Sequence, residues 1–168
     1  MKLFSTFLLF AALFFGTMLN TQAQKRKNNA ATQSSAGTNR NSSEQLLIRK
    51  WQLDPVFLRT MLQKEADKTR ATDPNQAANM EKFIDVYVER MSAATVEFFR
   101  DGSFERIMEG NIEKGKWSLE QNGKVFVQTD PAGNVEKSKI IELSASKLII
   151  ESQDSNGEKT QISFIPVK

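Results

Sequence analysis

Two residue types are missing from the 168-residue chain, which has no Cys and no His. Without Cys there is no disulfide framework, no thiolate nucleophile, no Cys-ligated metal and no acylated lipoprotein cysteine. Without His there is no Ser-His-Asp triad, no zinc–histidine site and no imidazole pH switch. A strong charge of one sign is also lacking. The 23 Lys+Arg face 20 Asp+Glu, a formal net charge of +3, so the pI near 9.2 reflects a small excess together with the absence of His. Nucleic-acid grooves need a basic face with exposed aromatics. Here Arg100, Arg106, Lys114, Lys116 and Lys124 are interleaved with carboxylates, and no nucleic-acid partner is expected. A Gly-rich phosphate loop is missing too. What is present, 39% hydrophobic and 26% charged residues, is the composition of a largely globular chain.

The amino end reads as a segment apart from the fold. A short basic start, Met1-Lys2, leads into the apolar run Phe7 to Phe15 and then Thr21-Gln22-Ala23, with small residues at the first and third positions. That order is a secretory signal peptide over residues 1–23. The stretch Leu3 to Leu19 is interrupted by Ser5, Thr6, Gly16 and Thr17 and falls short of a comfortable span of ~20 apolar residues. No integral membrane span is expected after cleavage. Residues 24–43 lack large apolar side chains and read as a disordered polar linker; Asn41-Ser42-Ser43 within it matches a glycosylation acceptor pattern.

The folded domain is expected over residues 44–168. Leu46 to Leu53 alternates as a first strand, with Leu47, Arg49, Trp51 and Leu53 on one face. Asp54-Pro55 and Asp73-Pro74 each offer an N-cap followed by Pro at the first helical position. Two helices are expected, the first ending near Thr69. In the second, Met80, Phe83, Ile84, Tyr87, Val88 and Met91 recur at spacings of three and four, an amphipathic stripe. After Ser92 the period changes to short strand-like runs over 94–100, 103–109, 112–121, 124–129, 135–143, 147–153 and 158–166. Turn signals such as Asp101-Gly102, Gly110-Asn111 and Asn122-Gly123 separate them. No gap after the second run is long enough for a parallel crossover, so each run pairs with its neighbour. The fold class is therefore mainly β: an eight-stranded antiparallel up-and-down barrel, closed on itself to remove its edges, with two α-helices inserted between strands 1 and 2. Val96, Phe98, Trp117, Leu119, Val125, Val127, Ile141, Leu143, Leu148, Ile150, Ile162 and Phe164 are its expected inward face, and Phe99, Phe126 and Ile149 break the alternation.

Arg49-Lys50-Trp51-Gln52-Leu53, the run Phe98 to Phe104 (FFRDGSF), Gly115 to Gly123 (GKWSLEQNG), Ile141 to Ser144 and Lys147 to Ile150 together cover nearly the whole folded region. In that order the chain resembles the lipocalin-like proteins of the calycin group, particularly small secreted domains common in Bacteroidota. The resemblance implies an eight-stranded lipocalin-like barrel, often with a cavity for an apolar small molecule and no enzymatic chemistry. It also implies that Trp51 closes the bottom under a basic side chain, either Arg49 or a later Lys or Arg. Two departures stand out. Arg49 occupies the place of the Gly in the opening Gly-x-Trp, and the paired helices look instead like the lid of intracellular fatty-acid-binding proteins, which have ten strands.

The expected function is an exported, non-enzymatic binding protein, periplasmic in a Gram-negative cell with the extracellular medium as the alternative, holding a small hydrophobic or amphipathic ligand. Met61, Met80, Phe83 and Tyr87 on the helices and Phe98, Arg106, Trp117, Val127 and Phe164 on the barrel are the candidate ligand-binding residues. Arg106, between Phe104 and Met108, would be informative if it pointed inward to meet a carboxylate, because a lone buried charge is costly. No catalytic residue, cofactor or metal is expected. Glu97, Glu105, Glu109 and Glu113 read as solvated strand faces, and Ser144-x-x-Lys147 lacks the companion motifs of a serine–lysine enzyme. Asp154, Asn156 and Glu158 lack a calcium-loop series. A filled barrel acting through its surface on an envelope protein partner is the alternative.

Overall fold

Both Asp-Pro pairs open helices in the computed structural model, which describes residues 42–154 and 156–168. The expected signal peptide, residues 24–41 of the expected linker and Asn41 of the acceptor pattern lie outside the described residues. Asp54 accepts from Val56 N at 3.0 Å and Phe57 N at 3.2 Å, closing the first turn of helix α2, Pro55–Arg70. Asp73 accepts from Gln76 N at 2.9 Å at the start of helix α3, Pro74–Ser92. Leu58, Leu62 and Ala66 of α2 and Ala77, Ile84, Val88 and Met91 of α3 are buried. Outside this seam, Arg59 pairs with Asp85 and Arg70 with Glu81 across the two helices.

The first strand is shorter than its alternation predicts. Helix α1 spans Ser42–Leu47, beginning two residues before the expected domain boundary, and strand β1 is only Lys50–Leu53. Tertiary contact overrides the local pattern here. Leu47 is fully buried, and its carbonyl accepts the Trp51 indole N–H at 3.0 Å, which an extended Leu46–Arg49 would not allow.

Seven further strands follow: β2 Thr95–Phe98, β3 Ser103–Met108, β4 Asn111–Glu120, β5 Val125–Thr129, β6 Val135–Leu143, β7 Leu148–Gln153 and β8 Lys159–Pro166. Each is antiparallel to its sequence neighbour, and β8 pairs back to β1, closing an up-and-down barrel with α2 and α3 between β1 and β2. The tightest turn is Glu109–Gly110, with both φ positive at 52° and 80°, the primed turn whose twist suits a hairpin. It sits one residue earlier than the Gly110-Asn111 signal predicts and pairs Arg106 with Glu113.

Directly paired residues share a face of the sheet, so the register identifies the inner wall. Phe98 is the hub of its aromatic part, with ring centroids 6.3 Å from Phe104, 5.8 Å from Trp117 and 5.3 Å from Phe126. Since Phe126 points inward, Val125 and Val127 point outward, reversing the expectation for both; Val127 is nonetheless buried. Ile141 is also exposed rather than inward, because an irregularity between Ile140 and Glu142 shifts the pairing with β7. A one-residue offset moves a whole strand face across the sheet, which is why alternation alone misplaced them.

Gly115 lies opposite Phe104, and a Cβ there would come 2.5 Å from the Thr129 carbonyl and 2.6 Å from the Phe104 ring. The backbone contact cannot yield by rotamer change, so Gly115→Ala is expected to cost about 1–3 kcal/mol. Urea unfolding checks this; a variant with an unshifted midpoint would show that the wall gives way there.

Candidate functional site

One end of the barrel is sealed. Trp51 is fully buried, the Arg49 guanidinium lies 5.5 Å from its ring centroid, and Arg49 Nη1 donates to the Ala145 carbonyl in the β6–β7 turn at 2.8 Å. The helices belong to the opposite end. Asp54 there caps α2 and also accepts from Ser163 Oγ of β8 at 3.2 Å, while Arg90 in the last turn of α3 pairs through Nε with Glu109 at 2.5 Å. Tyr87 lies beside that pair. Burial pushes its hydroxyl above its ordinary value, with the Glu109 carboxylate adding to the rise and Arg90 opposing it.

Between these ends the inner wall changes character. Toward the sealed end it is aromatic. Toward the helices it carries Arg106, Glu113, Gln128, Glu136, Ser138 and Ser152, each placed inward by its cross-strand partners. Arg106 is only 9% exposed, lies 5.9 Å from the Phe104 ring centroid and donates through Nη2 to Glu113 Oε2 at 2.7 Å. Ser138 and Ser152 share a buried 2.7 Å hydroxyl contact. Glu136 shares the inward face with Gln128 yet, as the second residue of β6, is exposed to solvent. Crowding by the wall still pushes its carboxyl above the usual carboxylate range; Arg106 opposes the rise and Glu113 reinforces it.

This arrangement carries a pH prediction. A carboxyl with a raised folded pKa costs no stability in acid and costs more as the pH rises through the shifted value. Glu136→Gln is therefore expected to be more stable than the parent chain at pH 7. The gain should vanish as the pH falls below the ordinary 4.5. Thermal melts of both proteins across that range check it; a Gln variant less stable at pH 7 would show that the carboxylate is favourably held.

The candidate residues separate into groups. Phe98, Arg106, Trp117 and Phe164 are buried and inward-facing, and Arg49 and Trp51 meet at the sealed end. Tyr87 is half-buried at the rim, and Met61 and Met80 are half-buried on the helical hairpin. Phe83 is 65% exposed, so it does not line the barrel. It lies one residue, about 100° of helix, away from buried Ile84. Val127 faces outward.

Of the carboxylates read as solvated, Glu97 and Glu105 are on the outer face, Glu109 is at the rim, and Glu113 is inside against Arg106. Sequence reasoning missed Gln128 and Glu136 altogether. The available signal was β6 itself, where Glu136 and Ser138 alternate with Lys137 and Lys139, polar on both faces. The other motifs have local roles: Ser144 Oγ accepts from Lys147 N at 3.0 Å, and Asp154 accepts from Asn156 N and Glu158 N, both within turns. Among the described residues no cluster of three metal-ligating side chains occurs, and no helix is long and apolar enough to cross a membrane.

No protein-family model matches the sequence, and no curated protein matches it. Among solved structures, the chain is similar to a DUF4847 family protein from Bacteroides vulgatus at 10% identity and a TM-score of 0.48, covering 73% of this chain and 95% of that one.

Proposed function

We propose that this chain is an exported, non-enzymatic binding protein of lipocalin-like build that holds a small amphipathic molecule inside its barrel. The observation that carries the reading is the division of the inner wall. A polar part, running from exposed Glu136 to buried Arg106 and its partner Glu113, continues into a buried aromatic part built around Phe98 and Trp117. Ligand sites combine apolar lining with a few convergent polar groups in this way. The amino-terminal leader pattern supports export, to the periplasm if the cell is Gram-negative or otherwise to the medium.

Native mass spectrometry of the chain exported by its own cell, purified without detergent, tests the reading. An added mass of about 200–700 Da that leaves on denaturation is the expected result. A bare mass would favour the second reading, a filled barrel that works through its surface. Phe83 and Val86, 65% and 62% exposed on α3, are the observation on that side.

A further inference from the structure

Toward the helical end, the register puts two carboxylates and one guanidinium on the inner wall. The guanidinium of Arg106 is engaged by Glu113 at 2.7 Å. Glu136 shares that wall, and among the described residues it makes no ion pair or hydrogen bond. A ligand carboxylate would meet an arginine already neutralised and a second negative charge beside it. A ligand cation would meet an unoccupied carboxylate.

A second observation lies on the same wall. The Trp117 side chain is 8% exposed, and its indole N–H is buried with no hydrogen-bond partner among the described residues. An unmade buried donor is costly, and native interiors rarely keep one without a reason. Trp117 stands directly opposite Gln128, and Gln128 directly opposite Glu136. The three form one row across adjacent strands, and two strand spacings put its ends about 10 Å apart. The row therefore runs from a donor lacking an acceptor to a carboxylate with no ion-pair or hydrogen-bond partner, with an amide between them.

We infer that the barrel selects organic cations, amines or guanidines with an apolar body, whose charged head meets Glu136 and whose far end offers an oxygen acceptor to the Trp117 N–H. The inference rests on the binding reading above and narrows it to a ligand class. The crowding that raises the proton affinity of Glu136 also favours a bound ammonium, because a charge-assisted pair gains strength as water is displaced.

The test uses two probes of equal length that both carry a terminal hydroxyl, amino-octanol and hydroxyoctanoate, titrated into the isotope-labelled, exported chain. Binding is followed by the indole N–H resonances. Trp51, bonded to the Leu47 carbonyl, serves as the internal reference. Amino-octanol is expected to bind about tenfold more tightly than hydroxyoctanoate and to shift the Trp117 N–H while leaving Trp51 in place. Glu136→Gln, which is expected to keep its fold, should abolish that preference. Equal or tighter binding of hydroxyoctanoate, or an undiminished preference in Glu136→Gln, would overturn the cation inference and leave the binding reading standing. If neither probe binds and the native mass is bare, the binding reading falls, and this inference with it.

Discussion

Trp51→Ala is expected to destabilise the chain by about 3–5 kcal/mol, the largest loss from any apolar truncation. Three contacts at the sealed end depend on this one side chain. Its ring fills the bottom of the barrel with no exposed surface, its N–H donates to the Leu47 carbonyl alongside the Arg49 N–H, and its face supports the Arg49 guanidinium, which holds the Ala145 carbonyl. Trp51→Phe separates the terms. It retains most of the apolar fill and gives up only the indole hydrogen bond, since the Leu47 carbonyl keeps the Arg49 N–H at 2.8 Å, for a smaller cost of about 0.5–1.5 kcal/mol. Arg49→Ala removes a more exposed contact, and its cost should be about 0.5–1 kcal/mol. Urea unfolding of the three variants gives the ranking. If Trp51→Ala cost no more than Arg49→Ala, the sealed end would be held by something other than the indole.

Arg106→Ala is the second large effect, an expected loss of about 3–5 kcal/mol at neutral pH. The size comes less from the lost ion pair than from what stays behind. Glu113 and Glu136 would remain on the inner wall without the Arg106 charge that offsets theirs, together with a gap over the Phe104 ring. Two controls identify that origin. The deficit should shrink as the pH falls, since the raised proton affinity of Glu136 relieves the repulsion first. The double change Arg106→Met with Glu113→Leu, which removes both charges and keeps the volume, should recover most of the loss, since a buried pair is often replaceable by apolar residues. A double variant as unstable as the single one would mean that Arg106 acts by packing alone.

Much of the architecture is legible in the sequence because it depends on local chemistry. Asp54-Pro55 and Asp73-Pro74 start helices wherever they occur in such a context, since the cap oxygen and the preset φ act within one turn. The turn signals after Ser92 mark strand ends for the same reason. Eight antiparallel segments without a long crossover have few arrangements other than a meander, and closure follows from its edges. That Trp51 and Arg49 share a face was likewise readable, since they are two residues apart on one alternating run, but the hydrogen bond of Arg49 to the Ala145 carbonyl is set by the fold.

The interior was not readable to the same degree, and the reason is register. Val127 and Phe126 are adjacent and both apolar, so alternation cannot say which is inside; the contact of Phe126 with Phe98 decides it. Glu113 resembles any solvated strand residue until the Glu109–Gly110 turn pairs it with Arg106. Glu136 is polar in a polar stretch, and only the chain of pairings from Trp117 through Gln128 places it on the inner wall.

The sequence by itself determined what short-range forces dictate: two capped helices, seven turn-delimited strands after them and the absence of thiol and imidazole chemistry. The tertiary structure alone decided that the segment before Trp51 begins as a helix, which face of β5 is inside, and that Arg106, Glu113 and Glu136 share one wall. Those choices turn on which strand lies opposite which residue. A single-residue offset reverses a face at no local cost, so only the closed set of eight pairings can fix it.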